Sequence, residues 1–258
     1  MGVLDLFQLD GKTAIITGGG RGLGAQIAQG FAEAGIANLV LCSRNVAVCE
    51  AVGKELEATF NVKTLALACD VTNPDDVKQV VEKTVAKFGA IDILVNNSGA
   101  SWGARVEDMP KEAWDKVMTI NVTGTFLMSQ EVGKVMIEQK SGKIINIASI
   151  AGFGGTPEFM QTIGYNTSIG AVMTFTKDLA VKWGRHNIHV NALAPGFFPT
   201  KMSNQLIEMG KKQILAVTPL KRLGNEGDLK GAAIFLASSA SDYVTGVILP
   251  VDGGTSAL

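Results

Sequence analysis

The stretch from Lys12 to Gly24, which reads KTAIITGGGRGLG, constrains the fold of this chain more than any other. Up to Thr17 it is mostly apolar and β-branched, and it then gives way to glycine, which predicts a buried strand ending in a tight turn. Apolar residues recur at helical spacing from Leu23 to Phe31, so a helix is expected to begin at about Gly22. The free N–H groups and the positive dipole end of that helix face the loop, which predicts an anion there.

The glycines of this loop are expected to have separate tasks. Gly18 allows the turn, Gly22 lets the backbone approach a pyrophosphate, and Gly24 lets the helix pack closely on the strand. Glycine-rich loops also occur in ordinary strand–helix connections. The loop alone therefore leaves two interpretations open, which are a nucleotide site and a plain tight turn.

The chain as a whole favours one globular domain, residues 1–258, in the cytoplasm. It has no linker, and its 24 acidic and 23 basic residues nearly cancel, so nothing indicates a nucleic acid or a charged membrane surface as partner. No apolar run reaches the length of a membrane span, and the first residues lack a signal-peptide pattern. Three cysteines and two histidines show no metal-binding spacing and are predicted to be structural, the cysteines as buried thiols in a reducing compartment.

Strands alternate with helices along the chain. The predicted strands are Lys12–Thr17, Asn38–Cys42, Thr64–Cys69, Ile91–Val95, Lys143–Ala148, Ile188–Ala192 and Gly246–Pro250. After the first helix, the predicted helices are Val46–Phe60, Pro74–Phe88, Lys111 to about Gln139, Ile163–Trp183 and Glu226–Leu236. This order predicts the α/β class, with a single-domain, Rossmann-like, doubly wound parallel sheet of about seven strands and helices on both faces. Ligands of such sheets bind beyond the carboxyl ends of the strands.

Seven distinctive segments follow those strand ends or lie between them. They are TGGGRGLG, NNSGA, Asn121 in INVTG, Ser149 in NIASIAG, Tyr165 in YNTSI, PGFFPT and the terminal VDGG. In this order, across the whole chain, they resemble the short-chain dehydrogenase/reductase family. Within it the sequence is most similar to the bacterial 3-oxoacyl-carrier-protein reductases and to gluconate 5-dehydrogenase-like members.

The end of the second strand predicts the cofactor. An NAD-specific pocket normally has an acidic residue there, but this chain reads Cys42-Ser43-Arg44. Arg44 and Arg21 can both meet a 2′-phosphate with a fork of donors, which favours NADP(H). The alternative is that both arginines are solvated surface charges.

The resemblance implies further contacts with the cofactor. It puts Asp70 and Val71 at the adenine, Asn97 and Gly99 at the ribose, and the segment after the sixth strand at the carboxamide. The full predicted cofactor set is Gly18, Gly20, Arg21, Gly22, Leu23, Gly24, Ser43, Arg44, Asp70, Val71, Asn97, Gly99, Pro195, Gly196, Phe198 and Thr200.

The resemblance also implies a catalytic set for the interconversion of a carbonyl compound and an alcohol. Reduction of a ketone needs a proton donor and a group that holds the carbonyl oxygen. Tyr165 is the expected acid, Ser149 binds the oxygen, and Asn121 anchors a water that relays protons. Each has an ordinary structural alternative, respectively a half-buried aromatic, a strand-end cap and a helix-interior amide.

One residue departs from the family pattern. The family has lysine four positions after the tyrosine, where it bonds the nicotinamide ribose and places a charge near the phenol, and this chain has Ile169. Without that cation we expect Tyr165 to titrate near the ordinary tyrosine pKa of about 10 and turnover to be low. Two alternatives stay open, namely a non-catalytic NADP-binding scaffold and a pocket used for a different reaction. Ser98 stands where the family commonly has alanine, and its hydroxyl is expected to crowd or hydrogen-bond the cofactor.

The substrate stays open among an acyl thioester, a ketone and a sugar acid. By resemblance, residues 151–164 and the apolar segment after Pro195, including Phe197 and Met202, wall the pocket, the latter as a mobile lid, with Trp102 near the rim. A sugar acid would need basic groups at the mouth, where Arg105 is the one obvious candidate. The resemblance also implies a homotetramer formed through the two long helices, whose apolar residues include Val172, Met173, Phe175 and Leu179.

Overall fold

The structure is a computed structural model that describes residues 2–258, so Met1 of the predicted domain lies outside the described residues. Its strands are β1 (Thr13–Thr17), β2 (Asn38–Ser43), β3 (Lys63–Ala68), β4 (Ile93–Asn96), β5 (Gly142–Ile147), β6 (Ile188–Pro195) and β7 (Ile248–Val251). They form one parallel sheet in the order β3-β2-β1-β4-β5-β6-β7. The chain reverses direction across the sheet between β1 and β4, which is where ligands of such sheets bind.

Eight α-helices connect and flank the strands. They are α1 (Gly22–Glu33), α2 (Val46–Thr59), α3 (Pro74–Phe88), α4 (Lys111–Met118), α5 (Gly124–Gln139), α6 (Ile163–Trp183), α7 (Asn204–Val217) and α8 (Glu226–Ala237). The two largest hydrophobic cores among the described residues hold six of these helices to the sheet, one core on each face, because successive strand residues point to opposite faces. Ile16 packs with α1, α2 and α8, while its neighbour Ile15 packs with α3, α5 and α6. The predicted fold class is confirmed.

Two helical segments differ from the prediction. The long helix expected from Lys111 to about Gln139 is divided by a π-helical turn, Thr119–Thr123, between α4 and α5. The segment predicted as an apolar lid contains a helix, α7, which the sequence reading did not assign. Its buried residues Ile207, Gly210 and Ile214 are three and four positions apart, so the helical pattern was present in the sequence.

The histidines and cysteines have structural surroundings. The His189 ring lies 2.8 Å from the Asp242 carbonyl oxygen, and all three cysteines are buried and free. Within residues 2–258 no three potential metal-binding side chains converge. Over the same residues, no helix is both long enough and apolar enough to cross a bilayer.

Candidate active site

A cleft of about 1030 Å³ opens at the carboxyl edge of the sheet. The glycine loop, the residues after β2 to β6, and the first turns of α6 form its walls. Of the predicted site residues, all except Gly24 line this one cleft. The structure therefore brings the predicted cofactor and catalytic residues together.

The glycine loop has the shape of a phosphate cradle. Gly18 has a φ of +65° and Gly22 a φ of +54°, which are left-handed conformations that residues with a Cβ rarely adopt. In the described part of the chain, no side chain caps the first residue of α1, so the first N–H groups of the helix stay available to an anion. The loop thus fits the phosphates of a dinucleotide, which would lie against the N-terminus of α1.

Gly24 does not line the cleft, and its surroundings agree with the packing task predicted for it, while a direct contact with the cofactor stays a prediction. A Cβ at Gly24 would lie 2.5 Å from the Gly18 carbonyl oxygen and 2.5 Å from the Asn97 amide nitrogen. The glycine is therefore needed for close packing behind the loop. The Asn97 amide donates to the Thr17 and Gly18 carbonyls, at 2.9 and 3.2 Å, and so ties the end of β4 to the loop.

Arg21 and Arg44 are exposed at the adenosine side of the cleft. Neither forms an ion pair with any residue from 2 to 258, so both guanidinium groups are free to meet a phosphate. Ser43 is less available than predicted, because its hydroxyl donates to the Asn45 carbonyl at 2.8 Å. Hydrogen bonds from Thr72 keep the pKa of Asp70 below its usual value, so this cleft-lining carboxyl is charged at neutral pH.

Asn121 lies in the π-helical turn, and its side-chain amide forms hydrogen bonds with other groups of the protein. Its Oδ1 accepts from the Ala100 N–H at 2.7 Å, and its Nδ2 donates to the Ala100 carbonyl at 2.9 Å and to the Ser168 hydroxyl at 2.8 Å. Both hydrogens of the Asn121 amide are therefore already donated to protein acceptors. Asn121 fastens the loop after β4 to α6, and a single π-turn in a long helix is frequent at functional sites. Its role as a water anchor stays a prediction.

Ser149 and Tyr165 meet on the wall of the cleft. Ser149 follows β5, where its Oγ accepts from the Ala151 N–H at 3.2 Å, and Tyr165 lies in the first turn of α6. Burial raises the pKa of Tyr165 above its ordinary value, and a hydrogen bond with Ser149 offsets only part of that rise. The expectation of a pKa near the ordinary value is therefore wrong, because the phenol is desolvated as well as lacking a cation.

Ile169 lies one helical turn beyond Tyr165 and lines the same cleft. Its side chain is only 4% exposed and packs in an apolar cluster with Ala148, Met173 and residues of β6. Its Cγ2 is 2.7 Å from the position that a Cβ on Gly152 would take. Position 169 therefore contributes packing to the site and no charge.

The substrate side of the cleft differs from the prediction in three places. Phe197 lines a separate cavity of about 470 Å³ instead of the main cleft, whereas Met202 lines the main cleft. Arg105 forms a salt bridge with Glu107 at 2.6 Å and does not line the cleft. Lys201, which the sequence reading did not select, is a cleft-lining cation. Lys201 directly follows the PGFFPT segment in the sequence, and this position could have indicated that it lines the cleft.

Comparisons with known proteins agree with this geometry. The family described as Enoyl-(Acyl carrier protein) reductase matches residues 18–256. The chain is 42% identical to 2-dehydro-3-deoxy-D-gluconate 5-dehydrogenase of Dickeya dadantii, over 98% of both chains. It is 38% identical to 3-oxoacyl-[acyl-carrier-protein] reductase of Thermotoga maritima, over 96% of this chain and 98% of that one.

A solved structure gives the same result. The gluconate 5-dehydrogenase of Burkholderia cenocepacia, crystallised in complex with NADP and tartrate, superposes with a TM-score of 0.93 and 37% identity over the full length of both chains. The resemblance drawn from the seven segments is thus confirmed, and the chain belongs to the short-chain dehydrogenase/reductase family.

Proposed function

We propose that this protein is an NADP(H)-dependent oxidoreductase that interconverts a ketone and a secondary alcohol, with low turnover. The observation that carries the proposal is the placement of Ser149 and a half-buried Tyr165 on the wall of a dinucleotide-sized cleft, with Ile169 one turn away. NADP is the bound cofactor of the superposing gluconate 5-dehydrogenase. The two unpaired arginines of this chain, Arg21 and Arg44, suit its extra phosphate.

In this mechanism NADPH supplies a hydride to the carbonyl carbon when it is bound. The Ser149 hydroxyl donates a hydrogen bond to the substrate oxygen, and the Tyr165 phenol transfers its proton to that oxygen as negative charge develops. The phenol must then regain a proton. With no cation at position 169 the tyrosinate is poorly stabilised, so the transfer of the proton to the substrate is slow.

The substrate we propose first is a sugar acid of the gluconate type, because the relatives above include two enzymes named for such compounds. An acyl thioester stays a second candidate, since another relative is named as a 3-oxoacyl reductase. Both classes present a ketone to the same catalytic pair. A panel of 5-ketogluconate, an acetoacetyl thioester and a diketone separates them.

The test of the proposal is Ile169→Lys. Its kcat/KM for ketone reduction should rise by about two orders of magnitude, the usual scale of a positioned acid–base group. Ile169→Met is the matched control, because it also removes the β-branch that touches Gly152 but adds no charge, and it should leave the rate unchanged. Replacing Tyr165 by Phe in the lysine variant should abolish the gain.

The scaffold alternative predicts a different result. If the lysine variant binds NADPH tightly yet reduces no member of the panel, the protein is a cofactor-binding scaffold or serves another reaction, and our proposal is wrong.

We further propose that the protein is a cytoplasmic homotetramer. Three buried free cysteines suit a reducing compartment. The apolar residues that suggested an interface are already covered in one subunit, since Val172, Met173 and Leu179 are buried. Exposed apolar residues on the long helices support the assembly instead, namely Phe126 at 43% and Val181 at 83% exposure.

A further inference from the structure

Three basic side chains line the cleft, and one has no assigned task. Arg21 precedes α1 and Arg44 follows β2, while Lys201 comes from the segment between β6 and α7. Lys201 is exposed, and within residues 2–258 it takes part in no ion pair. Its charge is therefore available to a ligand in the cleft.

The neighbour of Lys201 places it beside the phosphate cradle. The side-chain carbons of Thr200 lie 3.7 and 3.8 Å from the position of a Cβ on Gly22, the first residue of α1. Gly22 carries one of the left-handed conformations of the glycine loop. Lys201 thus follows the residue at which this wall of the cleft touches the anion-binding end of α1.

A fixed turn presents Lys201 to the cleft. The Thr200 carbonyl accepts from the N–H groups of Ser203 and Asn204, at 3.1 and 2.9 Å. The Thr200 and Ser203 hydroxyls also lie 3.0 Å apart. These bonds close the backbone around Lys201 and Met202, so less backbone freedom is lost when the lysine meets an anion.

The charges that line the cleft favour a binding role for Lys201. The three cleft-lining bases are matched by three acids, Glu55, Asp70 and Glu226, whereas the cofactor carries a diphosphate. Arg21 and Arg44 suit the 2′-phosphate. With Ile169 uncharged, Lys201 is the only cleft-lining base of residues 2–258 on the wall that follows β6.

We propose that Lys201 binds the diphosphate of the bound cofactor beside the anion-binding end of α1. The inference rests on the proposed function, because it takes the cleft to hold NADP(H). It assigns to Lys201 a positioning and binding task that is independent of which ketone is reduced.

The test measures cofactor binding by fluorescence titration of the apoprotein with NADPH and NADH, which share the diphosphate and differ in the 2′-phosphate. Lys201→Gln should weaken both cofactors by the same factor, about five- to tenfold, the scale of a partly exposed charged hydrogen bond. Its affinity should also depend less on salt than that of the unaltered protein. Lys212→Gln is the matched control, since Lys212 is exposed on α7 and does not line the cleft.

Each other outcome overturns the inference. A loss confined to NADPH places Lys201 at the 2′-phosphate. Unchanged binding of both cofactors, with a raised KM for 5-ketogluconate in the Ile169→Lys background, places Lys201 at the substrate carboxylate. Failure of the proposed function looks different, because the unaltered protein then binds neither cofactor, or the Ile169→Lys variant binds NADPH and reduces no member of the panel. In the second case the effect of Lys201→Gln on binding still tests the inference. A far-ultraviolet circular dichroism melt that matches the unaltered protein shows that Lys201→Gln is folded.

Discussion

At the scale of single residues, the protonation of Tyr165 decides how the activity depends on pH. Alcohol oxidation needs the tyrosinate as base, and burial raises the pKa of Tyr165 above its ordinary value. Residual oxidation should therefore keep climbing through the alkaline range, while Ile169→Lys should move the midpoint to lower pH because a cation stabilises the tyrosinate. Profiles of kcat/KM with one alcohol, from roughly pH 6 to 11, measure both. A midpoint common to both proteins would show that residue 169 does not act through Tyr165.

Arg44 should decide the choice between the two cofactors. Its guanidinium lines the cleft after β2 and is free to form a charge-assisted bond with the 2′-phosphate. Arg44→Ala should reduce the preference for NADPH over NADH by about tenfold or more, since such a bond contributes about 1.5–3 kcal/mol. Arg185→Ala, at the exposed end of α6, is the control. An unchanged ratio of dissociation constants in a fluorescence titration would contradict the assignment.

Residue identity and chain order were enough to predict which residues line the cleft. They were not enough to predict which of these side chains already form hydrogen bonds within the protein. The glycine loop, Ser149 and Tyr165 have signatures in local sequence. The commitment of the Ser43 hydroxyl to Asn45 and of the Asn121 amide to Ala100 depends on contacts that only the folded chain creates. Desolvation of Tyr165 is likewise a property of the assembled cleft, which no spacing of residues reveals.

At the scale of elements, the ring of Trp183, at the end of α6, packs against one glycine of α5. A Cβ on Gly133 would clash with Cη2 of Trp183. Gly133→Ala should therefore lower the free energy of unfolding by about 1–3 kcal/mol, the usual cost of overpacking a core. Gly231→Ala in α8 is the matched control, because a Cβ there meets nothing within 4 Å.

The control should show the opposite sign. Alanine in an open helical position stabilises by about 0.5–1 kcal/mol relative to glycine. Urea unfolding of the two variants measures both changes. Equal stabilities would mean that Trp183 moves aside at little cost, and its packing against Gly133 would then not require a glycine.

The elements themselves were predictable to different degrees. Long periodic helices such as α3 and α6 have the predicted bounds, since Pro74 marks the start of one and Trp183 the end of the other. The π-turn was not predictable from periodicity, because it inserts a single residue into an otherwise continuous pattern. Helix α7 was not predicted, because its apolar residues were assigned to a lid by resemblance, although their spacing is helical.

At the scale of the whole molecule, the exposed apolar residues of α5 and α6 predict the assembly. Light scattering should give about four times the subunit mass of 27.1 kDa. Val181→Asp should dissociate the tetramer, because it places a charge at an 83% exposed position of α6. Val106→Asp, at a 64% exposed position outside the long helices, should not. A monomer in the unaltered protein would contradict the proposed interface.

Ile169 also affects how the chain can change over generations. A lysine in that apolar cluster, where only 4% of the side chain is exposed, would bury part of a charge and weaken the fold. Selection for stability alone therefore favours isoleucine, whereas selection for turnover favours lysine. The two pressures oppose each other at one codon. A lineage that acquires Ile169 gains folding stability at once. It returns to lysine only where the reaction itself is under selection.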